Sequence, residues 1–336
     1  MIQSANLEIL SGTHYEIGLR HGRRNAARMR KLLGEFGVDL GAPWREEEFL
    51  SPLEKHLPGL AEEMRGIAEG SGMSLREVVA LSFLIDLGTT AGACTGVAFA
   101  DGPDGPVVAK TCDCSPGTQQ EWLNQRLVRP DGEPAAVIHS HIGSPNAEMG
   151  MNEKGLAIGI SGMLSNRIDR DGVGWQQDIR GILHRCATTE EAIAMFRAVP
   201  IRCAGYAAVV GDASGDVAVV ERLVGVVAVR RPTGKVVYEA NIALAEETQP
   251  FVSSAWGGEN GRGRTALLTR LCADETTLNF SLRGMLDLFS VHGDPGLCQH
   301  GPELHSHTGF FMLPRKREVW IARGYTCERC LEVFRF

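Results

Sequence analysis

The stretch Thr89-Thr90-Ala91-Gly92-Ala93-Cys94-Thr95-Gly96-Val97 divides the chain into two kinds of sequence. Upstream, charged residues recur on a helical pattern. Residues 12–33 and 46–70 both read as helices, with breaks expected at Pro52 and Pro58. Ser74 and Glu77 then stand at capping-box spacing ahead of the apolar run 78–87. Downstream, short apolar runs separated by turn residues take over. Residues 94–100 and 107–114 flank Asp101-Gly102-Pro103-Asp104-Gly105-Pro106, which predicts a hairpin. A turn centred between Pro103 and Asp104 sets Cys94 opposite Asp113, and cross-strand partners share a face. A slip or bulge would move that pairing by a residue or two.

Further hairpins are expected from residues 206–211 with 217–222, from 224–230 with 235–241 around Pro232-Thr233-Gly234, and from 309–313 with 318–322. Helical patterns interrupt them at 188–198, opened by the Thr188/Glu191 capping box, and at about 265–272 and 281–292. Antiparallel strands with helices in separate blocks indicate an α+β layered fold. No linker divides the chain, so residues 1–336 are expected to form one domain.

Composition narrows the function. With 43% hydrophobic and 22% charged residues, the chain reads as globular. A net charge of -7 argues against a nucleic-acid partner. The basic cluster Arg20, Arg23, Arg24, Arg28, Arg30 and Lys31 reads as a solvated helix face. No targeting segment and no membrane-spanning run is recognised. Nine cysteines, scattered and odd in number, suit reduced thiols in a cytoplasm.

The chemistry centres on Cys94. Gly92 and Ala93 give the Ala93 carbonyl little steric cover. A thiol attacking that carbonyl converts the peptide to a thioester, and water then releases it. Cys94 becomes a new N-terminus whose α-amine, with a typical pKa of ~7.7–8.0, serves as base for its own thiol. Taken alone, a cysteine at a strand start is also an ordinary small buried hydrophobe.

Several stretches resemble the isopenicillin N acyltransferase family and, more distantly, the choloylglycine hydrolases and penicillin V acylases. They are Gly12-Thr13-His14-Tyr15-Glu16-Ile17-Gly18 with Gly22, Ala93-Cys94-Thr95, Lys110-Thr111-Cys112-Asp113, Gly150-Met151-Asn152-Glu153-Lys154-Gly155-Leu156, Asn241, and Arg264 with Thr265-Ala266-Leu267-Leu268. The resemblance implies a four-layer αββα sandwich, the N-terminal-nucleophile hydrolase fold. It also implies self-cleavage between Ala93 and Cys94 into fragments 1–93 and 94–336 that stay associated.

The resemblance also suggests roles. Cys94 attacks an amide or thioester carbonyl, and Asp113 orients its amine. Asn241 donates to the oxyanion, unless it is only a turn asparagine. Lys110 stands where choloylglycine hydrolases carry arginine and would lower the thiol pKa, without arginine's planar fork. On strict alternation it points away from Asp113, so this role needs a bulge. Arg264 is either site support or an exposed helix arginine. Gly162 stands where related enzymes place a second oxyanion or substrate side chain. Leu297-Cys298-Gln299-His300 lacks the arginine that such a segment often contains.

The expected function is therefore a self-activated cysteine amidohydrolase or acyltransferase. It would act on small amides, small-peptide C–N bonds or acyl thioesters through an acyl-Cys94 intermediate. Its partners would be a small-molecule amide or acyl donor and possibly an amine acceptor, with no cofactor, nucleic acid or membrane. The alternative is a non-catalytic small-molecule-binding protein with Cys94 uncleaved. A zinc site from Cys112, Cys114, Cys327 and Cys330, or from His300, His305 and His307 with Glu303, is weighed and set aside. No metal is expected.

Overall fold

The computed structural model describes residues 3–37, 39–41, 43–83, 93–115, 117, 121–253, 258–273, 278–302 and 304–336. The small residues just ahead of Ala93, the end of the apolar run 78–87 and Glu303 lie outside them.

The first part of the chain folds as read: α1 (His14–Glu35), α2 (Glu47–His56), α3 (Pro58–Ser71) and α4 (Leu75–Ser82). Ser74 and Glu77 form the capping box that opens α4. One break is misplaced. Pro58 starts α3, but Pro52 lies inside α2. A proline there leaves the Glu48 carbonyl without its helical donor. Arg202 Nη1 donates to that carbonyl at 2.9 Å, so the helix continues.

Fifteen strands build two sheets among the described residues. They are β1 (Gln3–Ser4), β2 (Glu8–Gly12), β3 (Ala93–Phe99), β4 (Val107–Cys114), β5 (Leu123–Pro130), β6 (Ala136–His141), β7 (Met149–Asn152) and β8 (Ala157–Leu164), followed by β9 (Ala204–Gly211), β10 (Val217–Leu223), β11 (Val226–Arg230), β12 (Val236–Glu239), β13 (His305–Leu313), β14 (Glu318–Arg323) and β15 (Leu331–Arg335). The first sheet runs β1-β15-β14-β13-β4-β3-β12 and the second β11-β10-β9-β8-β7-β6-β5-β2. Pairing is antiparallel except for β1 with β15 and β2 with β5, at one edge of each sheet.

Alternation assigns the faces. Ala98, Val108, Val237, Phe310 and Ile321 of the first sheet meet Val137, Met149, Met151, Val209 and Val219 of the second in one inter-sheet core. The outer face of the second sheet packs on helices α5 (Trp175–Arg185) and α6 (Thr189–Ala198) through Ile179, Ile182, Ile193 and Phe196. The outer face of the first, with Val97, Phe99 and Phe311, packs on α7 (Gly258–Cys272) and α8 (Leu282–Leu288). The layers are thus α, β, β, α, and the fold class read from the sequence holds. The Thr188/Glu191 capping box opens α6. Among the described residues no helix is long and apolar enough to cross a membrane.

Two hairpin readings need correction. Residues 224–241 do not form a hairpin: β11 pairs with β10, whereas β12 pairs with β3 in the other sheet. The turn at Pro232-Thr233-Gly234 is a crossover between sheets, and a local turn signal does not say which sheet receives the next strand. The β3–β4 hairpin forms, but Cys94 faces Cys112, and Asp113 faces Ala93. The turn is centred as expected, with Gly105 N donating to Gly102 O at 3.0 Å. Ala100 and Asp101 precede it and only Pro106 follows before the last pair, Phe99 with Val107, so the register moves by one.

Candidate active site

That one-residue shift decides what surrounds the thiol. Cys94, Gly96, Lys110 and Cys112 alternate onto the face that meets the second sheet, because Ala98 and Val108 lie in the inter-sheet core. Lys110 therefore shares a face with Cys94 without the bulge that the expected register required. Glycines make room for it: a Cβ at Gly159 would lie 2.5 Å from Lys110 Cβ. The Cys94 thiol is pushed up by a hydrogen bond with Cys112 and by burial, while the Lys110 charge pulls it down. Burial works against the Lys110 ammonium, but the Cys94 and Cys112 sulfurs and Glu148 hold it charged.

The backbone of Cys94 is gripped from both sides. Its N–H donates to Asn241 Oδ1 at 2.8 Å, and its carbonyl accepts from Arg264 Nη1. The crossover into β12 brings Asn241 here, two residues past the strand end, with φ at 59°, a region that asparagine tolerates. Arg264 Nη2 also donates to Asn241 Oδ1 at 3.0 Å, and Asn241 Nδ2 donates to the Gly162 carbonyl at 2.8 Å. These three bonds fix the orientation of the amide: its oxygen faces the Cys94 nitrogen. Arg264 is 1% exposed, which removes its reading as an exposed helix arginine.

Asp113 lies on the other face of β4. Its carboxylate accepts from Ser306 Oγ at 2.6 Å and Gln299 Nε2 at 3.2 Å. Burial raises its pKa, against the pull of Arg264 and these donors. Gln299 belongs to the segment in which the sequence shows no arginine. Its Oε1 accepts from Asn260 Nδ2 at 3.1 Å, and Asn260 Oδ1 accepts from Arg264 Nε at 2.7 Å. Asp113 and Arg264 are thus joined through side-chain amides, and Cys94, Lys110, Asn241 and Arg264 are brought together around the start of β3.

Four further groups escaped the sequence reading. Glu148 meets Lys110 Nζ at 3.4 Å, His141 Nε2 at 3.0 Å and Gln176 Nε2 at 3.0 Å. Burial opposes its charge, but Lys110 and His141 hold its pKa well below the usual carboxylate range. His141 Nδ1 faces the Asn146 amide at 2.9 Å, which turns Nε2 toward Glu148. His139 is held neutral by burial. Glu239 pairs with Gly96, and a Cβ there would lie 2.3 Å from Glu239 Oε1. Burial, opposed by the Ser161 hydroxyl at 2.7 Å, pushes Glu239 up to about 8. Glu148, His139 and His141 have no telling spacing in sequence. Glu239, two residues before Asn241 in an apolar strand, was the one visible signal.

Residues 101–254 match the family described as acyl-coenzyme A:6-aminopenicillanic acid acyl-transferase. The matched stretch holds Lys110, Asp113, Glu148, Glu239 and Asn241, and lies between Cys94 and Arg264. Among solved structures, the chain is similar to a mutant of conjugated bile acid hydrolase from Clostridium perfringens, at 13% identity and a TM-score of 0.41 over 68% of this chain and 89% of the other. It is also similar to the Caenorhabditis elegans ortholog of N-acylethanolamine-hydrolyzing acid amidase, at 12% and 0.45 over 66% and 93%. A third is penicillin V acylase from Agrobacterium tumefaciens, at 16% and 0.36 over 68% and 83%. Likenesses this distant say nothing of activity.

Proposed function

We propose that the protein is a self-activated cysteine amidohydrolase or acyltransferase that works through an acyl-Cys94 intermediate. The observation that carries this reading is the placement of Cys94. Its sulfur shares a face with a buried lysine, while its nitrogen and carbonyl are held by Asn241 and Arg264.

In the proposed reaction the Ala93–Cys94 bond is cut first. The thiol adds to the Ala93 carbonyl, the C–N bond breaks with its nitrogen taking a proton, and water hydrolyses the thioester. The freed α-amine stays against Asn241 Oδ1 and takes the thiol proton in each later cycle. Lys110 favours the thiolate. Attack on a substrate amide or thioester forms the acyl-sulfur bond. The leaving amine or thiol departs with the proton, and water or an amine acceptor then takes the acyl group. Asn241 Nδ2 has two protons, of which the Gly162 carbonyl takes one, so the other is free for the oxyanion. Fragments 1–93 and 94–336 would stay together, because β1 and β2 are edge strands of the two sheets. The odd cysteine count supports a reducing, cytoplasmic setting.

The test is direct. N-terminal sequencing of the purified protein should find Cys94 as a second N-terminus. Mass spectrometry after exposure to an amide and thioester library should find an acyl group on Cys94. Cys94→Ala should remain one chain, with turnover lower by at least ~1,000-fold. A wild-type protein that stays uncut yet turns over substrate would sink the activation step. An uncut chain that binds small molecules without acylation would favour the binding-protein reading.

A further inference from the structure

Outside the Cys94 site, the loop after α8 and the one-turn helix Thr326–Glu328 before β15 converge. Each of His292, Cys298, His300 and Cys327 brings one ligand atom there, and all four atoms lie within 4.8 Å of one another. We propose that these four side chains bind one zinc ion, and that the ion pins the loop carrying Gln299 against the candidate active site. The reading stands apart from the role assigned to Cys94.

Two thiols and two imidazoles are the donor set of a closed tetrahedral zinc site. Zinc–sulfur and zinc–nitrogen bonds of ~2.3 and ~2.0–2.1 Å separate the ligand atoms of a tetrahedron by roughly 3.4–3.8 Å. His300 Nε2 is 3.4 Å from Cys298 Sγ and 3.4 Å from Cys327 Sγ. Hydrogen bonding does not account for both contacts. The Nε2 of a neutral imidazole offers either one lone pair or one proton, so it satisfies one thiol at a time. A cation between the groups satisfies both sulfurs as thiolates together with both rings.

The surroundings hold this arrangement. The Val291 carbonyl accepts from Leu297 N at 2.9 Å and Cys298 N at 3.0 Å, which folds the loop back so that His292 meets Cys298. The His300 ring stacks on Tyr325 at 3.8 Å and meets His292 edge-on at 4.8 Å. Cys298 is buried, Cys327 is half-buried and both histidines are exposed, so an ion has an entry path from solvent. The set cuts across both zinc readings weighed from the sequence. It takes Cys327 without Cys330, and His300 without His305 or His307. Positions 292, 298, 300 and 327 follow no paired spacing that a sequence reading would catch.

The consequence reaches the active site. Gln299 lies between two of the ligands. Its backbone N–H donates to Ser306 Oγ at 3.0 Å, and its side chain joins Asp113 to Asn260 and so to Arg264. Zinc would fix the one loop residue that links these groups.

Metal content tests the proposal without any substrate. Untagged protein purified under reducing conditions should carry about one zinc per chain by elemental mass spectrometry. His292→Ala and Cys327→Ser should each lower that content roughly tenfold or more. Cys330→Ser, outside the set, should leave it unchanged. Cobalt(II) in place of zinc should give thiolate charge-transfer absorption that Cys327→Ser abolishes. Should the variants misfold, the wild type still decides: chelation should lower Tm and added zinc should restore it. A wild-type chain without zinc that takes up none on titration overturns the proposal. So does a Cys298–Cys327 disulfide, seen as a mass about 2 Da low.

Discussion

Two buried charge clusters lie on opposite faces of the second sheet, and they are built on opposite rules. On the helical side, acids and bases alternate. Glu8 accepts from His21 Nδ1 at 3.0 Å, Asn25 at 3.1 Å and Asn124 at 2.8 Å, with Arg126 at 3.8 Å. Glu63 lies between Arg180 and His14, each at 3.1 Å. Burial opposes both carboxylates, yet these partners hold each at about 2. Between the sheets, one lysine faces four groups that would be anions if ionised: Cys94, Cys112, Glu148 and Glu239. Only Glu148 is held charged. The thiols and Glu239 are pushed toward their protonated forms. A buried charge is therefore not in itself a sign of a site. Protons left without a fixed owner beside a nucleophile are a better one.

The contrast can be broken at its cation. Lys110→Met should lower turnover by roughly 1,000-fold and slow alkylation of Cys94 by iodoacetamide at neutral pH, with the alkylation profile moved to higher pH. An unchanged profile would mean that the lysine serves packing alone. The matching change on the helical side, Arg180→Leu, leaves Glu63 short of its buried partner. It should cost roughly 3–5 kcal/mol in denaturant unfolding, with the alkylation rate of the folded fraction unaltered. A slowed alkylation there would show that the two clusters are coupled.

The smallest effect sharpens the comparison through pH. Glu239 sits at about 8 in the folded chain, against about 4.5 as an ordinary carboxyl. Below the ordinary value both states are protonated and nothing is lost. As pH rises through the window up to about 8, the unfolded state ionises first and stability falls; above it the penalty is constant. Glu239→Gln keeps an acceptor for the Ser161 hydroxyl and removes this dependence. Its Tm should match the wild type near pH 4 and exceed it by several degrees near pH 8. Parallel Tm curves for the two proteins would remove Glu239 from the set of mobile protons.

What the sequence made legible was local. Ser74/Glu77 and Thr188/Glu191 cap helices because each box needs only four consecutive residues. The turn at Gly102–Gly105 was likewise readable. The register of β3 on β4 was not, since a single extra residue beside the turn moves every pair. The destination of β12 was not either, because a turn signal carries no information about which sheet receives the next strand. These two long-range facts decide the site. The first sets Lys110 beside Cys94, and the second carries Asn241 to the Cys94 nitrogen. Glu148 and His141 come from strands β6 to β7 of the other sheet and its connecting loop, so only the stacking of the sheets reveals them.

The edge strands carry one more consequence. Residues ahead of Cys94 supply an outer rail to both sheets: β1 lies along β15, near the far end of the chain, and β2 lies along β5. Cutting at Cys94 would separate two polypeptides in the covalent sense and scarcely at all in the mechanical one. To leave, the shorter piece would have to peel from both sheets and withdraw its helices in the same event. The longer piece would then have two raw edges and an uncovered apolar face. The two pieces should therefore melt as a single cooperative unit, and a chain made from two separately translated halves has a ready template on which to reassemble.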